Sequence, residues 1–197
     1  MDVGVERRKG FRMRIGISGA QSVGKTTLLN ALRSENLFKG YSICNEVTRR
    51  VKEYGFRINE NGDDITQRLI MQEHIVNVFL HENMITDRTA LDGVVYTTYL
   101  NNKSKVSVPT LLFAQEVFNK LKNNYDLFFY IKPEFDIEDD GVRSTDKDFR
   151  DEIVQIFDHY LLQLPHIILT GSVRERVQQV LDAYNLKVIN GQSETIK

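Results

Sequence analysis

The residues Gly19-Ala20-Gln21-Ser22-Val23-Gly24-Lys25-Thr26 have the types and spacing that most directly imply chemistry in this chain. Glycines at the two ends of a short loop let the backbone turn so that its N–H groups converge on one anion, and a lysine and a hydroxyl follow at once. A helix opening at Lys25 adds the partial positive charge of its N-terminus at the same point. Lys25 then reaches the β- and γ-phosphates of a nucleoside triphosphate and Thr26 holds Mg2+, while Gly19, Ser22, Val23, Gly24 and Thr27 complete the cradle.

A phosphate cradle implies a nucleotide and leaves the reaction open. A GTPase needs an Asn-Lys-x-Asp guanine reader, and the nearest string, Asn102-Lys103-Ser104-Lys105, lacks the aspartate. A mechanical ATPase usually shows an acidic pair after an apolar strand, in a longer chain. Here the apolar run 84–86 ends in Asp87-Arg88. That pair suits phosphoryl transfer: Asp87 can orient Mg2+ or accept a proton, and Arg88 can bridge acceptor and phosphoryl group as charge develops.

Acceptor-side candidates follow the second strand. In Asn45-Glu46-Val47-Thr48-Arg49-Arg50, Glu46 can take the proton of an attacking hydroxyl, and Arg49 or Arg50 can hold an anionic group. Asp92 can point into the acceptor pocket or cap the next helix, and Tyr96 can stack on a ring or serve as core. Asp139-Asp140-Gly141-Val142-Arg143 and Arg150 read as a lid over about 133–150, with Arg143 delivering late positive charge. Arg174, in Gly171-Ser172-Val173-Arg174, can stack on the adenine. The four histidines show no metal-ligand spacing, and His74 and His81 read as surface residues of one helix.

The elements that must position these groups alternate. Strands are expected over 13–18, 41–44, 84–86, 125–132 and 166–169, the fourth carrying the strongest central-strand signal. Helices are expected over 25–33, 47–54, 65–81, 89–100, 109–122, 150–162 and 173–183. This is the pattern of an α/β domain with a mostly parallel sheet. Residues 55–64 read as a loop, 1–12 as a flexible leader, 13–190 as the domain and 191–197 as a flexible tail. With 197 residues, 41% hydrophobic, the chain can bury one sizeable core. A net charge of −1 lacks the basic excess of a protein that grips duplex DNA, so a small-molecule partner is favoured, with a local basic cleft left open. One cysteine, Cys44, excludes an internal disulfide and suits a reducing cytosol. No stretch is long and apolar enough to span a bilayer.

The strings GISGAQSVGKTTLLNAL, NEVTRR, TDRTALD, DDGVR and GS-x-R together resemble the AAA_28-type P-loop kinases, over about residues 14–180. These include the nicotinamide riboside kinase domain of bacterial NAD regulator proteins and phage nucleotide kinase-like proteins. The resemblance implies a P-loop NTPase fold with a five-stranded parallel sheet, Mg-ATP as donor, Arg143 in the lid, and Asp87, Arg88 and Glu46 on the acceptor side. It also implies a bacterial or phage-infected cytoplasm. Nothing in the sequence matches a nicotinamide-specific aromatic clamp: tryptophan is absent altogether. The expected acceptor is therefore a nucleoside, nucleotide or similar small molecule, with a hydroxymethylated base in DNA and a non-kinase ATPase as alternatives. A homodimer through the helix over 65–81 is a further expectation.

Overall fold

The computed structural model describes residues 12–45, 47–134 and 147–194. Glu46, Arg143, most of the expected lid and most of the expected leader lie outside the described residues.

Five strands form one all-parallel sheet: β1 (Arg14–Ser18), β2 (Ser42–Cys44), β3 (Met84–Asp87), β4 (Leu127–Ile131) and β5 (Ile167–Leu169), in the order β2-β3-β1-β4-β5. β4 reads Leu-Phe-Phe-Tyr-Ile and is buried at every position, as a parallel strand covered on both faces must be. β1 rather than β4 occupies the middle of the sheet. Its register pairs Ile17 with Asp87 and Ser18 with Tyr130, so the C-terminal ends of three neighbouring strands finish together beneath the phosphate loop.

The helices are α1 (Lys25–Arg33), α2 (Val47–Glu53), α3 (Asp64–Leu80), α4 (Ala90–Asn102), α5 (Val108–Leu121), α6 (Lys147–Leu161) and α7 (Val173–Glu194). α1 buries Leu28, Leu29 and Leu32, as its spacing requires. α4 is buried almost all round, packing against α3, α5 and α6. A side chain at Gly93 would run into the Met71 sulfur, so glycine there lets α3 and α4 approach closely.

Two elements exceed expectation. α6 opens at Lys147, and α7 continues past residue 183 through Gly191 to Glu194. Tyr184 explains part of that extension: its ring packs edge-on against Phe38 and Tyr41, and the two tyrosine hydroxyls bond at 3.1 Å. This holds α7 against the segment that joins α1 to β2.

Candidate active site

The phosphate loop runs from the end of β1 to the start of α1. Ser22 (φ 59°) and Gly24 (φ 86°) lie in the left-handed region on either side of Val23, an alternation that curls successive N–H groups into a concave anion nest. Gly19 is required for a second reason. A Cβ there would stand 2.5 Å from the Ile131 carbonyl oxygen, so only glycine lets the loop pass the end of β4. Lys25, 4% exposed, folds back so that Nζ donates to the Gly19 and Ala20 carbonyls at 2.7 and 2.6 Å. Thr27 points outward and is exposed.

The Thr26 hydroxyl donates to Asp87 Oδ2 at 2.6 Å, joining the first turn of α1 to the end of β3. Among the described residues no group of three or more His, Cys, Asp or Glu could hold a metal. One hydroxyl and one carboxylate form an oxygen-only pair beside a phosphate nest. That donor set fits Mg2+, which takes few protein ligands and completes its octahedron with phosphate oxygens and water.

Arg88 is held in a conformation that costs energy. Its φ of 76° lies in the left-handed region, which a bulky residue adopts only when its surroundings impose it. Its N–H donates to Ile17 O at 2.9 Å, and its carbonyl accepts from the Thr86 hydroxyl at 2.8 Å. The guanidinium lies over the Tyr96 ring, 5.1 Å from the centroid, and 3.4 Å from Asp92 Oδ1. The twist turns Arg88 off the strand and into the cleft.

Asp92 serves two purposes. It closes the capping box of α4, accepting from the Thr89 N–H at 2.9 Å, while Thr89 caps Leu91 N. It also accepts from the Ser18 hydroxyl at 2.6 Å and from Gly19 N at 3.4 Å. The capping role left open by the sequence is thus real, and the same carboxylate reaches the phosphate loop. The Tyr96 hydroxyl donates to Gln21 Oε1 at 3.1 Å, a second link between α4 and that loop.

A small cavity of about 20 Å³ adjoins these groups. Arg88, Asp92 and Tyr96 line one side, with Gln67, His74 and Thr48 on the others. His74 is not the surface residue its spacing suggested: it is 2% exposed, because the α3 face carrying it packs onto α4 at Gly93. Burial, with the Arg88 charge adding to it, lowers its pKa to about 3, so the ring is neutral. Its Nε2 has no hydrogen-bond partner among the described residues. Arg49 lies apart, half-buried, lining a wider groove with Thr26, Cys44, Arg50 and Asn77.

A second arginine of α7, two residues beyond Arg174, reaches the phosphate loop. Arg174 is exposed, whereas Arg176 is 2% exposed and donates to Val23 O at 2.8 Å and to Glu134 Oε2 at 3.0 Å. The signal was available: Arg176 shares a helical face with Val180, which is fully buried, and Arg174 does not. His74 offered less warning, since only the packing of α4 decides which side of α3 is inner.

Residues 14–176 match the AAA_28 family model, an AAA domain, and the chain belongs to this family. No curated protein matches the sequence. Among solved structures the chain is similar to deoxyadenosine kinase from M. mycoides with the products dCMP and a flexible dCDP bound. That likeness has a TM-score of 0.64 at 16% identity, covering 88% of this chain and 98% of that one. The same kinase with bound dATP gives 0.62 at 15% identity, over 88% and 99%. The NadR protein in complex with NR gives 0.64 at 21% identity, over 90% of this chain and 52% of that one, so this chain spans about half the length of NadR. These likenesses establish the P-loop NTPase fold in the form seen in nucleoside kinases.

Proposed function

We propose that this chain is an ATP- and Mg2+-dependent phosphotransferase whose acceptor is a nucleoside, nucleotide or similar small molecule. The observation that carries the reading is the junction of two halves. Asp87 bonds Thr26 of the phosphate loop, and its neighbour Arg88 turns through a strained backbone to line a small, partly open pocket of mixed polar and apolar side chains. A protein that only hydrolysed nucleotide would have no need of that second compartment.

In this reading the nest of residues 19–24 binds the triphosphate, and Lys25 leaves its carbonyl partners for the β- and γ-phosphate oxygens. Thr26 and Asp87 would hold Mg2+, which when bound neutralises phosphate charge. An acceptor oxygen forms the new bond to the γ-phosphorus as the bond to the bridging oxygen breaks, and ADP leaves. The acceptor proton passes to Glu46 or Asp87. Arg88 meets the charge developing on the transferred group, and Arg143 is assigned to deliver a second positive charge. Arg174 is assigned to the adenine, and Arg49 to an anionic part of the acceptor.

The lining of the small pocket supports this acceptor class, once the pocket widens to admit it. Beside Arg88 and Asp92, its polar groups include the amides of Asn59 and Gln67 and the neutral imidazole of His74, with the Tyr96 ring in the same lining. Such a wall suits a flat heterocycle with hydrogen-bonding edges. The likeness in fold to a deoxyadenosine kinase and to NadR with NR bound supports the same class. No helix among the described residues is long and apolar enough to cross a membrane. The free, buried Cys44 supports a reducing cytosol as the setting, and the family resemblance supports a bacterial or phage-infected cell.

The test is γ-labelled ATP with Mg2+ against nucleosides, nucleoside monophosphates, nicotinamide riboside and DNA carrying a hydroxymethylated base. Label should enter a small acceptor, and Lys25→Ala should abolish transfer. Label in DNA alone would move the acceptor to the polymer. ATP hydrolysis that no acceptor alters would defeat the kinase reading.

A further inference from the structure

We propose that two copies of this chain pair through α3, antiparallel, about a two-fold axis at Gln72. The pairing does not depend on the reaction proposed above. The inner face of α3 buries Ile70, Met71, His74 and Val78. Its outer face should be polar if it met only water. Instead Ile65 is 61% exposed, Val76 52%, and Phe79 and Leu80 each 69%. Ile65, Leu69, Gln72, Val76 and Phe79 recur at the helical period and form one stripe along the whole element. Its flanking charges are Arg68, which bonds Thr110, and Glu73, which pairs with Arg50, so neither faces the stripe as a free charge.

The second copy is chosen as occupant because the stripe is self-complementary. Ile65 and Phe79 are equidistant from Gln72, and Leu69 and Val76 flank it on either side. A two-fold axis at Gln72 sets Ile65 of one protomer against Phe79 of the other, with Leu80 next to it, and Leu69 against Ile75 and the adjoining Val76. This is what an isologous interface requires. The two Gln72 amides meet at the axis, where each can donate to and accept from the other. A foreign partner would have no reason to find this internal symmetry.

The area sets the strength. A 17-residue helix is about 25 Å long, and its exposed apolar side chains plus their rim would bury about 500 Å² per protomer. Stable interfaces bury about 800 Å² per partner, so the dimer is weak and reversible, in the micromolar range. Pairing would also brace the helix that carries Gln67 and His74 on its other side.

Sedimentation velocity on the full chain from about 1 to about 200 µM brackets such an association. The expected result is a concentration-dependent monomer–dimer equilibrium that Phe79→Asp weakens at least tenfold, with Val76→Glu as a second variant and circular dichroism showing both folded. Gln72→Cys should cross-link chains under mild oxidation. Leu112→Cys, 58% exposed but on α5, should not, and Cys44 is buried. A chain monomeric throughout, a dimer that both substitutions leave intact, or Gln72→Cys chains that fail to cross-link would each overturn the proposal.

Discussion

Arg176→Ala should loosen α7 from the phosphate loop, and the magnitude follows from two hydrogen bonds that the guanidinium makes among the described residues. It donates to the buried Val23 carbonyl at 2.8 Å and to Glu134 at 3.0 Å. Hydrogen bonds to a charged group contribute about 1.5–3 kcal/mol. The bond to Val23 retains most of that, because both partners are shielded from water. The bond to Glu134 is discounted, since that side chain is 27% exposed and solvent screens the pair. A loss of about 3 kcal/mol results, which lowers the melting temperature of a chain this size by about 6–12 °C. Val23 lies between the two left-handed residues of the nest, so its peptide should drift and weaken ATP binding by about tenfold, or about 1.4 kcal/mol. Arg176→Met keeps the alkyl stem and isolates the polar loss. Arg174→Ala, on the exposed side, should change stability by less than about 0.5 kcal/mol. Urea titration and calorimetry with a non-hydrolysable ATP analogue read both effects. If Arg176→Ala melts and binds like wild type, or Arg174→Ala loses as much, the account of how α7 supports the cradle is wrong.

Asp87→Asn should raise the Mg2+ concentration needed for half-maximal transfer at least tenfold while leaving the melting temperature nearly unchanged; an unaltered Mg2+ dependence would remove Asp87 from the metal. Arg88→Ala should slow transfer about 10²–10³-fold, as removal of a transition-state donor does, with background ATP hydrolysis less affected. His74 is neutral in the fold, with its pKa lowered to about 3, but gains a proton near pH 6.5 when unfolded. The unfolded state therefore binds more protons between those limits, and stability falls as pH drops below 6.5, by up to about 1.4 kcal/mol per pH unit. His74→Gln should flatten that part of the stability–pH curve measured by urea titration. Burial raises the Cys44 thiol to about 11, so alkylation at pH 8 should be slow until denaturant is added; rapid native labelling would contradict its buried placement.

The shape of the phosphate loop was legible because its residues are contiguous in the sequence. The loop and the helix start at Lys25 are local consequences of glycine placement and backbone geometry. The five strands and seven α-helices of the described residues were legible from apolar runs and helical spacing, with ends displaced by a few residues, except where Tyr184 carries α7 further through a contact distant in sequence; the short 3-10 turns at Asn36–Phe38, Asn59–Asn61 and Lys122–Asn124 were not. The acceptor side was less legible for a physical reason. Whether His74 is inside or outside depends on how α3 docks on α4, and both faces of α3 are apolar, so its pattern does not choose. The same ambiguity hid the exposure of Phe79 and Leu80. The positive φ at Arg88 left no sequence signal either, since no glycine or asparagine marks it.

Asp92 gives this architecture a built-in reciprocity. One carboxylate accepts from Ser18 and Gly19 on one side and lies beside Arg88 on the other. Any group that draws Arg88 away alters the charge balance felt at Ser18, and any rearrangement at Gly19 is felt by Arg88. Thermodynamic linkage then makes the two compartments answer to each other by the same factor in both directions. Occupancy of either one thereby reports on the other, with no moving domain needed to carry the message.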